Sequence, residues 1–238
     1  MNIVKIDSIS AIEAFSVNSD NLRTTDPCYD METWCAGTIE NVKGGTWDAH
    51  IGYHKDSSDM EMSAKWRQDH VDKMEQAKAR GDDALAAMHA YDVAKYDKSA
   101  AEYIGRVAFL HIVHSDTSAN FDHSTELDST WQDSGIDVGV DSGQAGFFDE
   151  FLFDGLCHAP EMKEEFYRQV CDLTCGEKQW GTHLAGVVSS TGYGDGSYTC
   201  MVRRDDHGQA IEAVILYLTQ YDEEEDDAED TSEGITHD

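Results

Sequence analysis

The stretch MEMSAKWRQDHVDKMEQAKAR, residues 60–80, has no glycine, no proline and a single β-branched residue, Val71. A run of this kind is held far more readily in a helix than in a sheet. Trp66, Val71, Met74 and Ala77 fall near one helical face, and Glu61–Lys65 and Asp69–Lys73 are favourable i,i+4 pairs. Arg80-Gly81-Asp82-Asp83 supplies a C-terminal glycine and then an aspartate N-cap. ALAAMHAYDVAKYDKSAAEYI resumes the helical period, with Leu85, Met88 and Tyr91 on one face. The pattern predicts a helical hairpin inserted at about residues 56–106.

The segments on either side have a different period. NIVKI and EAFSV read as strands near the N-terminus, and WDAHIGYH alternates, with Trp47, Ala49, Ile51 and Tyr53 on one face. VAFLHIVH, IDVGV and GFFDEFLF follow as strands, and SDTSANFDHSTELDSTWQDSG between them is a polar surface loop. PEMKEEFYRQVCDL opens with proline in a first helical turn and predicts one amphipathic helix. HLAGVVSST, SYTCMVRRD and QAIEAVILYLT predict a three-stranded meander joined by GYGDG and DDHG turns. The expected fold is α+β: a mostly antiparallel sheet, curled into a barrel or sandwich, with an inserted helical hairpin and one further helix. Residues 1–221 are expected to form one domain, with 222–238 a disordered acidic tail.

Charge limits the function classes. The chain carries 48 acidic and 17 basic residues, a net charge of −31. Ten of the acids lie in the tail, yet the rest still holds 38 against 17. Residues 107–162 contain no lysine or arginine at all, whereas 55–106, with nine bases and 11 acids, is nearly neutral. Such a surface repels phosphate backbones and anionic bilayers, which argues against direct nucleic-acid or membrane binding. It favours cations or a basic, DNA-binding host protein. A soluble, self-repelling surface or salt adaptation gives the same composition. The N-terminus, broken by Asp7 and Glu13, lacks the apolar run of a signal peptide, and the six cysteines are scattered, so a cytoplasmic protein with free thiols is expected.

Three segments combine aspartate with glycine or proline: TTDPCYDMETWCAG at 24–37, GVDSGQAGFFD at 139–149 and SSTGYGDGSYTC at 189–200. In wording and order they resemble a domain-of-unknown-function family of bacteriophage and bacterial proteins. The resemblance implies a phage or bacterial cytoplasmic setting and little chemistry.

If the three loops meet, Asp26, Asp141, Asp149 and Asp195 offer hard oxygen ligands for Ca²⁺ or Mg²⁺. Gln144 and Tyr193 would join them in holding a ligand at the sheet rim. The plainer reading makes each loop a structural turn, and none has EF-hand spacing. Cys157, His158, Cys171 and Cys175 form a candidate zinc set, although paired C-x-x-C knuckles are absent and buried free thiols explain them equally. Cys28 or Cys35 becomes a thiol nucleophile only if a histidine approaches. His50, His54, His111 and His114 are candidates for proton transfer, or ordinary core and surface residues. No nucleophile elbow and no P-loop occurs. Two functions remain in view. One is an acidic accessory protein that binds or inhibits a basic host protein. The other is a metal-dependent enzyme or ligand pocket for a nucleotide or small metabolite.

Overall fold

A computed structural model of the chain describes residues 3–117 and 127–220. The expected acidic tail and part of the polar loop lie outside the described residues. The chain divides into two compact units, one of residues 1–54 with 106–238 and one of residues 55–105.

The larger unit begins with β1 (Ser8–Ile9), β2 (Glu13–Val17), β3 (Asn21–Thr25), β4 (Gly37–Glu40) and β5 (Gly45–His54). The smaller unit holds α1 (Ser57–Ala79) and α2 (Asp83–Glu102). The larger unit resumes with β6 (Arg106–His114), β7 (Gln132–Val140), β8 (Gln144–Asp149), α3 (Glu150–Cys157) and α4 (Pro160–Thr174). It closes with β9 (Trp180–His183), β10 (Gly186–Ser190), β11 (Gly196–Arg204) and β12 (Ala210–Leu216). One sheet runs β1-β5-β6-β12-β11-β7, with β2 also on β5, and the other runs β4-β3-β8-β10-β9. All the strand pairings are antiparallel, and the sheets do not close into a barrel. The fold is α+β.

The five-stranded sheet is apolar on both faces. Phe148 and Val188 pack with Phe153 of α3 and with Phe166 and Val170 of α4. Their strand neighbours Phe147 and Val187, also buried, point to the opposite face, toward the seven-stranded sheet. Among the described residues the layers are therefore sheet, sheet and helix pair.

Four expectations are corrected. GFFDEFLF is not one strand: β8 stops at Asp149, whose carboxylate accepts from the Leu152 N–H at 3.1 Å and starts α3. Phe153 then reaches the core while Phe151 is left 76% exposed, so the larger unit carries two helices rather than one. The meander is not continuous, because β10 pairs with β8 and β9 while β11 pairs with β7 and β12. The GYGDG turn therefore carries the chain from one sheet to the other, helped by positive φ at Gly192 and Gly194. VDSG does the same between β7 and β8 and is not a hairpin turn. NIVKI contributes only an isolated bridge, Ile3 to Thr219, to the sheets.

The two crossings sit side by side and are locked by Asp26. This fully buried carboxylate accepts from the N–H groups of Asp141 (2.9 Å) and Ser142 (2.8 Å) through Oδ2. Its Oδ1 accepts from the Ser142 hydroxyl (2.7 Å) and the Cys28 N–H (2.8 Å). Thr191 N–H donates to Gly143 C=O (3.2 Å), and Gly143 N–H donates to Asp195 Oδ1 (3.1 Å). Gly143 has φ +68°, which a larger side chain adopts only with strain.

Two outcomes follow. Asp26→Ala strands three N–H or O–H donors of the crossing and the Cys28 N–H. It should lower stability by about 3–5 kcal/mol, read as a reduced urea midpoint at unchanged slope. The last residues of β5 and the first of β6 are direct partners, His54 opposite Arg106. Replacing residues 55–105 by Asn-Gly should therefore give a folded β-hairpin at that point, with a single cooperative unfolding transition and the helical circular-dichroism signal reduced.

Candidate functional site

The three aspartate segments converge on a cleft of about 450 Å³ at the sheet-crossing corner. Tyr29, Trp34, Cys35, Asp141, Asp195 and Ser197 are among its walls. The local sequence explains the shape. Pro27 and the Asp26 cap of Cys28 turn the chain sharply after β3, and Tyr29 N–H closes the turn on Asp26 C=O at 3.1 Å. Six residues on, Cys35 C=O accepts from Gly139 N–H at 2.8 Å. A β-carbon at Gly139 would lie 2.6 Å from Cys35 Sγ, so this close approach of the 30–36 segment to β7 requires glycine. Trp34, on the tip of the segment, is left 89% exposed.

Asp26 directs the backbone N–H groups of the 141–142 turn inward, and the Asp141 side chain is left outside. Tyr29 hydrogen-bonds Asp141 and Cys35, and its phenol pKa is raised, by burial first and by those bonds after it. Asp195 is exposed at the other side of the cleft, held by the Gly143 N–H. Ser197 donates to Asp137, adding a third carboxylate beside it. Tyr193 is half exposed, with the Arg106 guanidinium 4.6 Å from its ring centroid.

The candidate residues thus divide. Asp26, Asp141 and Asp195 come together, with Tyr193 on the neighbouring turn. Asp149 does not join them: it lies at the far end of β8, fully buried, and accepts from the N–H groups of Asn18 (2.6 Å), Ser19 (2.8 Å) and Leu152 (3.1 Å). Gln144 is buried under α4 rather than at the rim, accepting from Thr174 Oγ1 at 2.8 Å and facing Cys171 Sγ at 3.4 Å. Asp26 meets N–H and O–H hydrogens on both oxygens, and a Ca²⁺ or Mg²⁺ ion would have to displace them. Of the four candidate aspartates the geometry leaves two exposed at the cleft, Asp141 and Asp195, where a hard cation takes six or more oxygens.

The cysteine set also separates. Cys157 Sγ lies 3.9 Å from Tyr29 C=O, Cys171 faces Gln144, Cys175 is exposed at the end of α4, and His158 Nδ1 is 2.9 Å from Asp154 C=O. No grouping of metal-ligand atoms includes them among the described residues. The Cys28 thiol is pushed up to about 12 by burial, by a hydrogen bond to Asp26 and by that carboxylate's charge, so it stays protonated near neutral pH.

A second polar group lies on the seven-stranded sheet; sequence reasoning names its His50 and His111 and misses Glu212 and Arg203. Glu212 is fully buried in β12, paired with Arg203 and 3.7 Å from His111 Nε2. His50 stacks on His111 at 5.5 Å, and Arg203 covers the Trp131 ring at 5.5 Å. The signal was visible: QAIEAVIL places one acid inside an apolar strand, and such an acid needs a buried counter-charge. His114, on the opposite sheet face, has its Nε2 3.0 Å from Gly44 C=O and its ring edge-on to Trp47.

Among the described residues no helix is long and apolar enough to cross a membrane. Neither a curated protein nor a solved structure matches the chain. A family model described as a protein of unknown function, DUF4241, matches residues 15–215, from β2 to β12 and through all three aspartate segments. The chain belongs to the DUF4241 family.

Proposed function

We propose that this protein is a non-enzymatic binding protein that takes a basic partner, through a lysine or arginine of that partner seated in the corner cleft. The observation that carries this reading is the pairing of a free indole face, Trp34, with two exposed carboxylates, Asp141 and Asp195, around one cleft. An aromatic face attracts a cation through its ring quadrupole, and flanking carboxylates supply the charge. The net charge of −31 steers such a partner over a longer range. A basic, DNA-binding host protein in a phage-infected or bacterial cytoplasm fits these requirements, the acidic surface standing in for a phosphate backbone.

The alternative of a nucleotide or a metal-dependent reaction has less to draw on. Asp141 and Asp195 repel phosphate, and the fully engaged Asp26 leaves no multidentate cradle for a hard ion. A ligand pocket for a small organic cation would use the same walls.

Fluorescence anisotropy with an arginine-rich peptide, a lysine-rich peptide and spermidine as competitor tests the reading at two salt concentrations. The peptides should bind more weakly at the higher salt. Trp34→Ala and the double change Asp141→Asn with Asp195→Asn should each weaken peptide binding about five- to thirtyfold, with the unfolding free energy within about 0.5 kcal/mol of the parent. Equal affinity in parent and variants would remove the cleft from the account. Displacement by spermidine at a concentration that leaves the peptide-bound surface otherwise unsaturated would favour the small-cation pocket.

A further inference from the structure

The helical unit carries a feature unrelated to the cleft. We infer that His70 of α1, together with His89 and Asp92 of α2, forms a site for a borderline transition-metal ion of the Zn²⁺ class, which clamps the two helices.

The placement begins with the sequence. His89 and Asp92 are three apart on α2, so they sit one above the other on one helix face. The turn at Arg80–Asp82, with the Asp82 carboxylate capping Leu85 N–H at 3.0 Å, folds α2 back along α1 and brings His70 opposite them. His70 Nδ1 is 3.2 Å from His89 Nδ1 and 3.2 Å from Asp92 Oδ2. The three ligand atoms all lie within 4.8 Å of one another, and they are the one such group of three or more among the described residues.

The two 3.2 Å separations from His70 suit an ion. Zinc bonds to nitrogen and carboxylate oxygen are about 2.0–2.2 Å, which in a tetrahedron sets neighbouring ligand atoms about 3.3–3.5 Å apart. Hydrogen bonding alone serves the arrangement poorly. The Nδ1 of one histidine has at most one hydrogen to offer, while His70 Nδ1 faces both a second imidazole nitrogen and a carboxylate oxygen. One metal ion accepts a lone pair from each of the three at once. Two imidazoles and a carboxylate select Zn²⁺, Co²⁺, Ni²⁺ or Cu²⁺ over Ca²⁺ or Mg²⁺. The His70 and Asp92 side chains remain 23% and 32% exposed, so a fourth position is open to water. The Tyr96 ring, 5.6 Å from that of His70, walls one side.

The packing of the hairpin gives the ion something to do. Ala77 is the one apolar residue buried in α1, and Ala86 the one in α2. A groove of about 460 Å³ opens between the helices, with Met60, Ala64, Tyr96 and Ala100 among its walls. Helices with so little shared apolar contact depend on specific cross-links, of which Arg67–Asp97 and Tyr103–Asp59 are two. A metal bridging positions 70, 89 and 92 joins the helices near their midpoints and adds its binding free energy to the folded hairpin.

The test uses the full chain, stripped with chelator and titrated with Zn²⁺ against a chromophoric competitor, with metal content read by mass spectrometry. Binding of one ion per chain is expected, with Kd about 1 µM or tighter. His70→Gln and His89→Gln should each weaken it at least tenfold, while His158→Gln and Cys175→Ser should leave it unchanged. Co²⁺ loaded on the unaltered protein should give the intense visible bands of a four- or five-coordinate nitrogen–oxygen site, a readout that does not depend on any variant folding. Zn²⁺ should also raise the helical melting transition. Failure of the stripped protein to hold one ion, an octahedral cobalt spectrum, or zinc binding indifferent to His70→Gln in a variant of parental helicity would each overturn the inference.

Discussion

One buried carboxylate holds the corner on which the larger unit turns. Asp26 is fully buried, and its counterparts are polar hydrogens rather than a cation. An anion without solvent is costly unless its oxygens are filled, and N–H and O–H donors fixed by the chain fill them without bringing in a flexible base. Three of the donors belong to residues 141 and 142, more than a hundred positions away. The interaction therefore fixes where β7 leaves one sheet and β8 enters the other. The second crossing, between β10 and β11, is tied to the first through Thr191, Gly143 and Asp195. The cleft is a consequence of this arrangement: once the backbone of the 141–142 turn faces Asp26, the Asp141 side chain has only the outside left.

What could be read from the residues alone follows the range of the interactions. The helical hairpin, α4, β2 and β12 are legible from signals within the segment itself: aspartate caps and the lack of strand formers for the hairpin, proline in the first turn and the amphipathic period for α4, alternation for β2 and a short apolar run for β12. The apolar faces read on the hairpin are not buried, since Trp66, Met88 and Tyr91 stay exposed. Turn chemistry also marks the chain reversals within the three aspartate segments, at 27–29, 141–143 and 192–195. GFFDEFLF resists assignment because a short apolar run has no period that separates strand from helix, and the informative residue, Asp149, is an N-cap in the middle of it. HLAGVVSST and SYTCMVRRD look like paired neighbours in the sequence because GYGDG is good hairpin chemistry. Turn residues say that the chain reverses, and sheet membership depends on partners such as β7 and β8 far along the chain.

The candidate site shows the same limit. Asp26, Asp141, Asp149 and Asp195 look equivalent in a sequence, each within two residues of a glycine, a proline or an aromatic residue. Their roles differ by what surrounds them: Asp26 locks a corner, Asp149 caps α3, and Asp141 and Asp195 face solvent. No local rule assigns those environments. The pairing of His70 with His89 and Asp92 was likewise out of reach, since H-x-x-D on one helix is common and its third member depends on how α1 and α2 align.

The imbalance of charge gains a location when each base is traced. Residues 1–54 and 106–238 contain nine lysines and arginines, and every one has a partner within that unit. Lys5, Lys43, Lys163, Arg168, Lys178 and Arg203 pair with acids, respectively Asp7, Asp116, Asp30, Glu165, Glu13 and Glu212. Arg23, Arg106 and Arg204 donate to the carbonyls of Met31, Gly192 and Glu40. None of these contacts is with Asp141 or Asp195. Surface ion pairs are individually weak, so this is a statement about geometry more than about stability. Its force lies in what remains: the carboxylates of the cleft face outward beside an uncovered indole, in a unit whose own bases are engaged elsewhere. A partner's guanidinium or ammonium would meet attraction there without first displacing an internal one, which is the physical content of the binding reading.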